Sequence, residues 1–191
     1  MNARPDDGSI HPDDIRRWTT GEDEEIHRTP IFSLRRREAT SPLDPARSGR
    51  FYYIDSADWV NVIALTPASE VVLIEQYRHG VDDVCLEIPG GMVDSGEDAL
   101  AAGIRELREE TGYEGQDAQL IGMVAPNPAI LNNRCGTVLV RDAHLVTATE
   151  FDTDEEIAVR LTPLEEIPRL IRERVIVHSL VVAAFHHLSL R

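Results

Sequence analysis

Residues 91–113 read GMVDSGEDALAAGIRELREETGY. Leu100, Ile104 and Leu107 recur at helical spacing, so a helix is expected from about residue 97 to 110 with these side chains in the core. Ser95 suits the N-cap, with Asp98 three residues on, and Gly112 suits the C-terminal stop. Glu106 and Glu110 are four apart and lie one turn apart on one face; Glu109, three from Glu106, flanks them. With the apolar stripe opposite, these acids are expected to face a cleft. Like charges so spaced cost an isolated helix roughly 0.2–0.5 kcal/mol per pair, which a positive partner relieves. Hard carboxylate oxygens suit Mg2+, which takes carboxylates together with water and substrate phosphate. On its own, an E-x-x-E-E run reads as the solvated face of an amphipathic helix; its surroundings decide otherwise.

Outward from this helix, strands are expected at Ile31 to Arg37, Phe51 to Asp55, Trp59 to Leu65, Glu70 to Tyr77 and Val84 to Ile88. Further strands follow at Gln119 to Val124, Gly136 to Val140 and Ile157 to Leu161. Pro163 to Ile167 and Pro168 to Val175 read as helical, and a last helix runs from about His178 to Leu190. Strands mixed with two or three helices imply an α/β fold whose sheet is covered on both faces. Residues 1–25 are rich in Asp, Pro and Gly without apolar periodicity and are expected to be a mobile tail. A short N-terminal β accessory segment follows over 26–56, and the main domain over 57–191.

The chain has 191 residues, enough for a core without disulfides or structural metal. Its formal net charge is −15, and every one of its 19 Lys-plus-Arg cations is arginine. An acidic surface argues against nucleic-acid binding. It is reconciled with a phosphate-bearing substrate if a divalent ion reverses the local potential. Cys85 and Cys135 lack C-x-x-C spacing and point to a reducing compartment. The polar, acidic N-terminus does not read as a signal peptide, and the apolar run Val175 to Phe185 is too short to span a bilayer. A cytoplasmic protein without membrane partners is expected.

Gly91, Glu97, Arg105, Glu106, Leu107, Glu109, Glu110, Gly112 and Tyr113 fill every fixed position of G-x5-E-x7-R-E-U-x-E-E-x-G-U, where U is bulky and apolar or aromatic. This is the signature box of the Nudix hydrolase family, which the chain therefore resembles. The wider pattern, through DWVNVIALT (58–66), LIEQYRHG (73–80), LEIPGG (86–91) and a late acidic loop, is similar to the branch acting on ADP-ribose and nucleoside diphosphate sugars.

The resemblance implies a Nudix-like α/β/α sandwich with a mixed sheet. It implies Mg2+, with Mn2+ able to substitute and two or more ions present, held by Glu106, Glu110 and the carbonyl of Gly90, with Glu109 helping a second ion. Arg105 and Glu97 take structural roles, an Arg pairing with helix acids. Gly90 and Gly91 allow a tight turn beside the ions. For the general base it points to Glu155, then Glu156, in the loop 152–156, with Glu109 as the alternative. Arg78 resembles a phosphate contact, Glu87 an acid near metal or ribose, and Trp59 a platform for the base. Asn133, within Asn132-Asn133-Arg134, is a candidate for the sugar pocket, and Pro128 falls where such enzymes often carry proline. His178, His186 and His187 show no metal spacing and read as packing or surface residues.

The expected activity is hydrolysis of ADP-ribose or another nucleoside diphosphate sugar to a nucleoside monophosphate and a sugar phosphate, by a homodimer. A nucleoside triphosphate pyrophosphohydrolase and a non-catalytic nucleotide sensor stand as alternatives.

Overall fold

The computed structural model describes residues 15–149 and 156–191. Its chain separates into two units, one ending at Ser56 and the other beginning at Ala57.

The first unit is an antiparallel sheet of β1 (Thr19–Thr20), β2 (Glu24–Arg28), β3 (Phe32–Thr40) and β4 (Ser48–Ser56). β3 is its spine: β4 pairs with it from Phe32↔Ser56 to Thr40↔Ser48, while β1 and β2 pair with its two ends. Strand pairing therefore begins before residue 26, in a stretch with no apolar alternation. Charge supplies the complement there instead: Arg36 of β3 pairs with Glu24 of β2, and Arg37 with Asp23, just before β2, at 2.8 Å. Such exposed pairs contribute about 0–1 kcal/mol each.

The second unit contains β5 (Trp59–Ala64), β6 (Glu70–Arg78), β7 (Asp83–Glu87), β8 (Gly90–Met92), α1 (Ala99–Thr111), β9 (Tyr113–Val124), β10 (Cys135–Leu145), β11 (Ile157–Pro163), α2 (Ile167–Arg172) and α3 (Ser179–Ser189). One sheet has the order β8-β5-β10-β9 and is mixed, since β5 and β10 run parallel and the other pairs antiparallel. The second, β11-β6-β7, is antiparallel. Alternation along the strands feeds two cores. Val60, Val62 and Ala64 of β5, with Val138 and Val140 of β10, pack with Ala102 and Leu107 of α1. Ile63 and Leu139 point the other way, to Val181, Ala184 and Phe185 of α3. Helices thus cover both faces, as the interleaved strands and helices implied.

Helix α1 differs from its sequence pattern in two respects. Its N-cap is Asp98 rather than Ser95: Oδ1 accepts from Leu100 N at 3.0 Å and Ala101 N at 2.8 Å. Gly96, at φ 88°, turns the chain left-handed just before, so Ser95 lies outside the helix. Ile104 is 46% exposed instead of core. The helix meets the sheet at Gly103, where an added Cβ would come within 2.9 Å of Val138 Cγ2 and 3.3 Å of Val60 Cγ2. That contact centres the buried face on Gly103, Leu107, Glu110 and Thr111 and turns Ile104 to the flank. The stop is Gly112, at φ 72°, whose N–H donates to Arg108 O. Both cysteines are buried free thiols. No helix among the described residues is long and apolar enough to cross a membrane.

Candidate active site

The site grows from the corner Pro89-Gly90-Gly91, which carries the chain from β7 into β8. Gly91 lies opposite Val60 and Gly90 opposite Asn61. A Cβ on Gly90 would sit 2.2 Å from Val60 O, so only glycine lets the backbone come this close, and one on Gly91 would fall 2.4 Å from Glu106 Oε1 and push that side chain aside. The Gly90 N–H donates to Glu110 Oε2 at 2.8 Å. Two carboxylates one helical turn apart thereby converge on adjacent residues of one corner.

Their setting corrects the expectation that the apolar stripe lies opposite all three acids. Glu110 shares the buried side of α1 with Leu107 and is 3% exposed, whereas the Glu109 side chain is 42% exposed. The positive partner demanded by like charges on a helix is Arg105. Its Nη1 donates to Glu106 at 2.9 Å and Glu109 at 3.0 Å, while Nε and Nη2 reach Glu97 at 3.3 and 3.1 Å and Nη2 also reaches Met92 O. The hydrogen bond to Glu97 is the largest cause holding the guanidinium above its ordinary pKa, and it holds the Glu97 carboxyl below its own. Arg105 thus ties the loop before α1 to two box acids.

Among the described residues, no three His, Cys, Asp or Glu side chains gather round one point. The donor chemistry nevertheless fits a hard divalent cation. Glu106 and Glu110 lie against the two glycines of the corner, where backbone carbonyls are at hand.

Beside the corner is a cavity of about 640 Å³, within the usual range for small-molecule sites. Trp59, Asn61, Arg78, Glu87, Gly90 and Gly91 line it, together with His178 at the start of α3. Arg78 binds Glu87 through two parallel bonds, Nε to Oε1 at 3.1 Å and Nη2 to Oε2 at 2.9 Å. Glu87 Oε2 also lies 2.8 Å from His178 Nδ1. Burial opposes ionisation of Glu87, but the hydrogen bonds from His178 and Arg78 and the charge of the Arg78 guanidinium outweigh it. Its carboxyl is held at about 2.

Of the residues singled out by sequence, Trp59, Arg78, Glu87, Gly90 and Gly91 meet in this cavity, and Glu106 and Glu110 abut its glycine corner. Asn133 is not among its lining residues; it is buried and donates to Ala57 O at 3.0 Å, bracing the start of β5. Glu156 is exposed ahead of β11 and is also absent from the lining. Glu155 lies outside the described residues.

Two wall residues were not singled out by sequence. His178, read as a packing or surface residue, reaches Glu87 across 91 positions, and no local spacing signals such a pair. Asn61 sits inside a strand that reads as core, yet its Nδ2 is buried with no hydrogen-bond partner among the described residues.

A family model described as the NUDIX domain matches residues 56–184. The mouse (Mus musculus) ADP-sugar pyrophosphatase is 39% identical over 124 residues, 59% of this chain and 53% of that protein. The Bacillus methanolicus methanol dehydrogenase activator is 32% identical over 133 residues, 69% of this chain and 72% of that protein. The chain thus spans about half the mouse protein and nearly three quarters of the bacterial one. A crystal structure of an ADP compounds hydrolase superposes with a TM-score of 0.77 at 19% identity, covering 92% of this chain and 94% of that one.

Proposed function

The chain belongs to the Nudix hydrolase family, and from that premise we propose that it hydrolyses the diphosphate bridge of ADP-ribose or another nucleoside diphosphate sugar. The products are a nucleoside monophosphate and a sugar phosphate. The observation that carries this reading is the convergence of Glu106 and Glu110 on Gly91 and Gly90, beside a cavity whose wall holds Arg78 and Glu87. The ADP sugar in the description of the mouse relative supports the substrate class.

Glu106, Glu110 and the Gly90 carbonyl would hold Mg2+, or Mn2+ in its place, with Glu109 serving a second ion. When bound, such an ion offsets diphosphate charge and makes water a stronger nucleophile. The chain's own residues do the rest. Arg105 holds Glu106 and Glu109 in place through its hydrogen bonds. The Gly90 N–H fixes the rotamer of Glu110. Arg78, with Nε and Nη2 turned to Glu87, keeps its Nη1 edge outside that pair for substrate phosphate. The Trp59 ring in the cavity wall offers a stacking surface for the base. Glu155 or Glu156, or else Glu109, accepts the proton from the attacking water. We further propose a cytoplasmic homodimer.

The test is a panel of ADP-ribose, other nucleoside diphosphate sugars and nucleoside triphosphates with Mg2+, the products separated by chromatography. Monophosphate and sugar phosphate from a diphosphate sugar are expected. Exclusive release of pyrophosphate from triphosphates would point to the other branch, and silence on every substrate to a nucleotide sensor.

A further inference from the structure

We propose that His178 is a specificity-determining residue that accepts a hydrogen bond from a sugar hydroxyl of the substrate through Nε2, its ring fixed by Glu87. The proposal rests on the diphosphate-sugar reading above and adds to it the group that recognises the sugar.

Glu87 is nearly sequestered from solvent, and its two oxygens hold Arg78 and His178. An ionised carboxylate only accepts hydrogen bonds, so the 2.8 Å contact requires a proton on His178 Nδ1. In a neutral imidazole that assignment leaves Nε2 as a lone-pair acceptor. His178 lines the cavity beside the glycine corner, in the wall that meets a ligand.

The complement of a fixed acceptor is an O–H donor. The bridging phosphates of a nucleotide carry no proton at neutral pH and would meet the lone pair with oxygen, whereas a sugar hydroxyl supplies the hydrogen.

The alternative, that His178 merely satisfies buried Glu87, is separable by substitution. His178→Asn places an amide N–H near the position of Nδ1 and preserves the bond to Glu87, but has no counterpart of Nε2. His178→Ala removes both. The experiment measures kcat/KM of wild type and both variants for ADP-ribose and for analogues each lacking one hydroxyl of the distal sugar. For wild type, one analogue should fall about tenfold below ADP-ribose, the effect of one neutral hydrogen bond. Both variants should lose about tenfold on ADP-ribose and treat that analogue and ADP-ribose alike. If His178→Asn restores wild-type discrimination, or if either variant retains it, His178 serves Glu87 alone and the proposal is overturned. A wild-type enzyme that cleaves no diphosphate sugar would remove the functional reading itself, and this proposal with it.

Discussion

Glu87 and His178 are 91 residues apart in the chain, yet their side chains meet at 2.8 Å in the wall of a cavity. One lies at the end of β7 and the other immediately precedes α3, so a single carboxylate joins an antiparallel strand to the start of the last helix. Because Arg78 binds the same carboxylate, the trio is a compact polar brace within a largely apolar unit.

This brace predicts acid sensitivity. The Glu87 carboxyl is held at about 2, below its ordinary 4.5, so the folded state favours the ionised form. The stabilisation is complete above the unfolded value and is lost as pH falls from about 4.5 through about 2. The shift corresponds to about 3 kcal/mol. Denaturant titrations between neutral pH and pH 2 should show wild type losing roughly this much more than Glu87→Gln. Parallel losses in the two proteins would contradict the assignment.

Glu110→Gln should lower turnover by at least about a hundredfold while leaving the fold intact. The amide oxygen can still accept from the Gly90 N–H, so the contact at 2.8 Å survives while the charge is lost. Turnover within about twofold of wild type, with matching circular dichroism, would remove Glu110 from the proposed cation site.

Gly103→Ala should destabilise the protein despite alanine's helix propensity advantage of about 1 kcal/mol. The new Cβ would come within 2.9 Å of Val138 Cγ2 and 3.1 Å of its Cβ, in the close-packed seam between α1 and the sheet. Overpacking of this kind costs about 1–3 kcal/mol. A lowered thermal midpoint is the expected result; a raised one would show that the seam yields.

Gly91→Ala should cut activity by at least about tenfold, since its Cβ would fall 2.4 Å from Glu106 Oε1 and displace that carboxylate from the corner. Steady-state kinetics across a Mg2+ titration checks this, and an unchanged profile would disconnect Gly91 from the site.

Much of this was legible in sequence, for identifiable reasons. Helix α1 announced itself because its apolar spacing and Gly112 obey local rules, and its acids share a turn because four residues nearly complete one. The same local rules placed Ser95 at the cap and Ile104 in the core. Both fail because backbone details decide them: the left-handed turn at Gly96 and the close approach at Gly103. The start of β2 before residue 26 is not legible because charge pairs, rather than apolar alternation, match it to β3. Trp59, Arg78 and Glu87 were picked out by resemblance of their local stretches. His178 and Asn61 were not, because each acquires meaning only from partners, or a missing partner, set by tertiary packing.

The most direct test of the central claim is diffraction from crystals soaked with Mn2+ and a non-hydrolysable ADP-ribose analogue, recorded at the manganese edge. The expected result is anomalous density bound by the carboxylates of Glu106 and Glu110 and the Gly90 carbonyl, with the diphosphate of the analogue against it. An analogue bound in the cavity with no density beside Glu106 and Glu110 would contradict it.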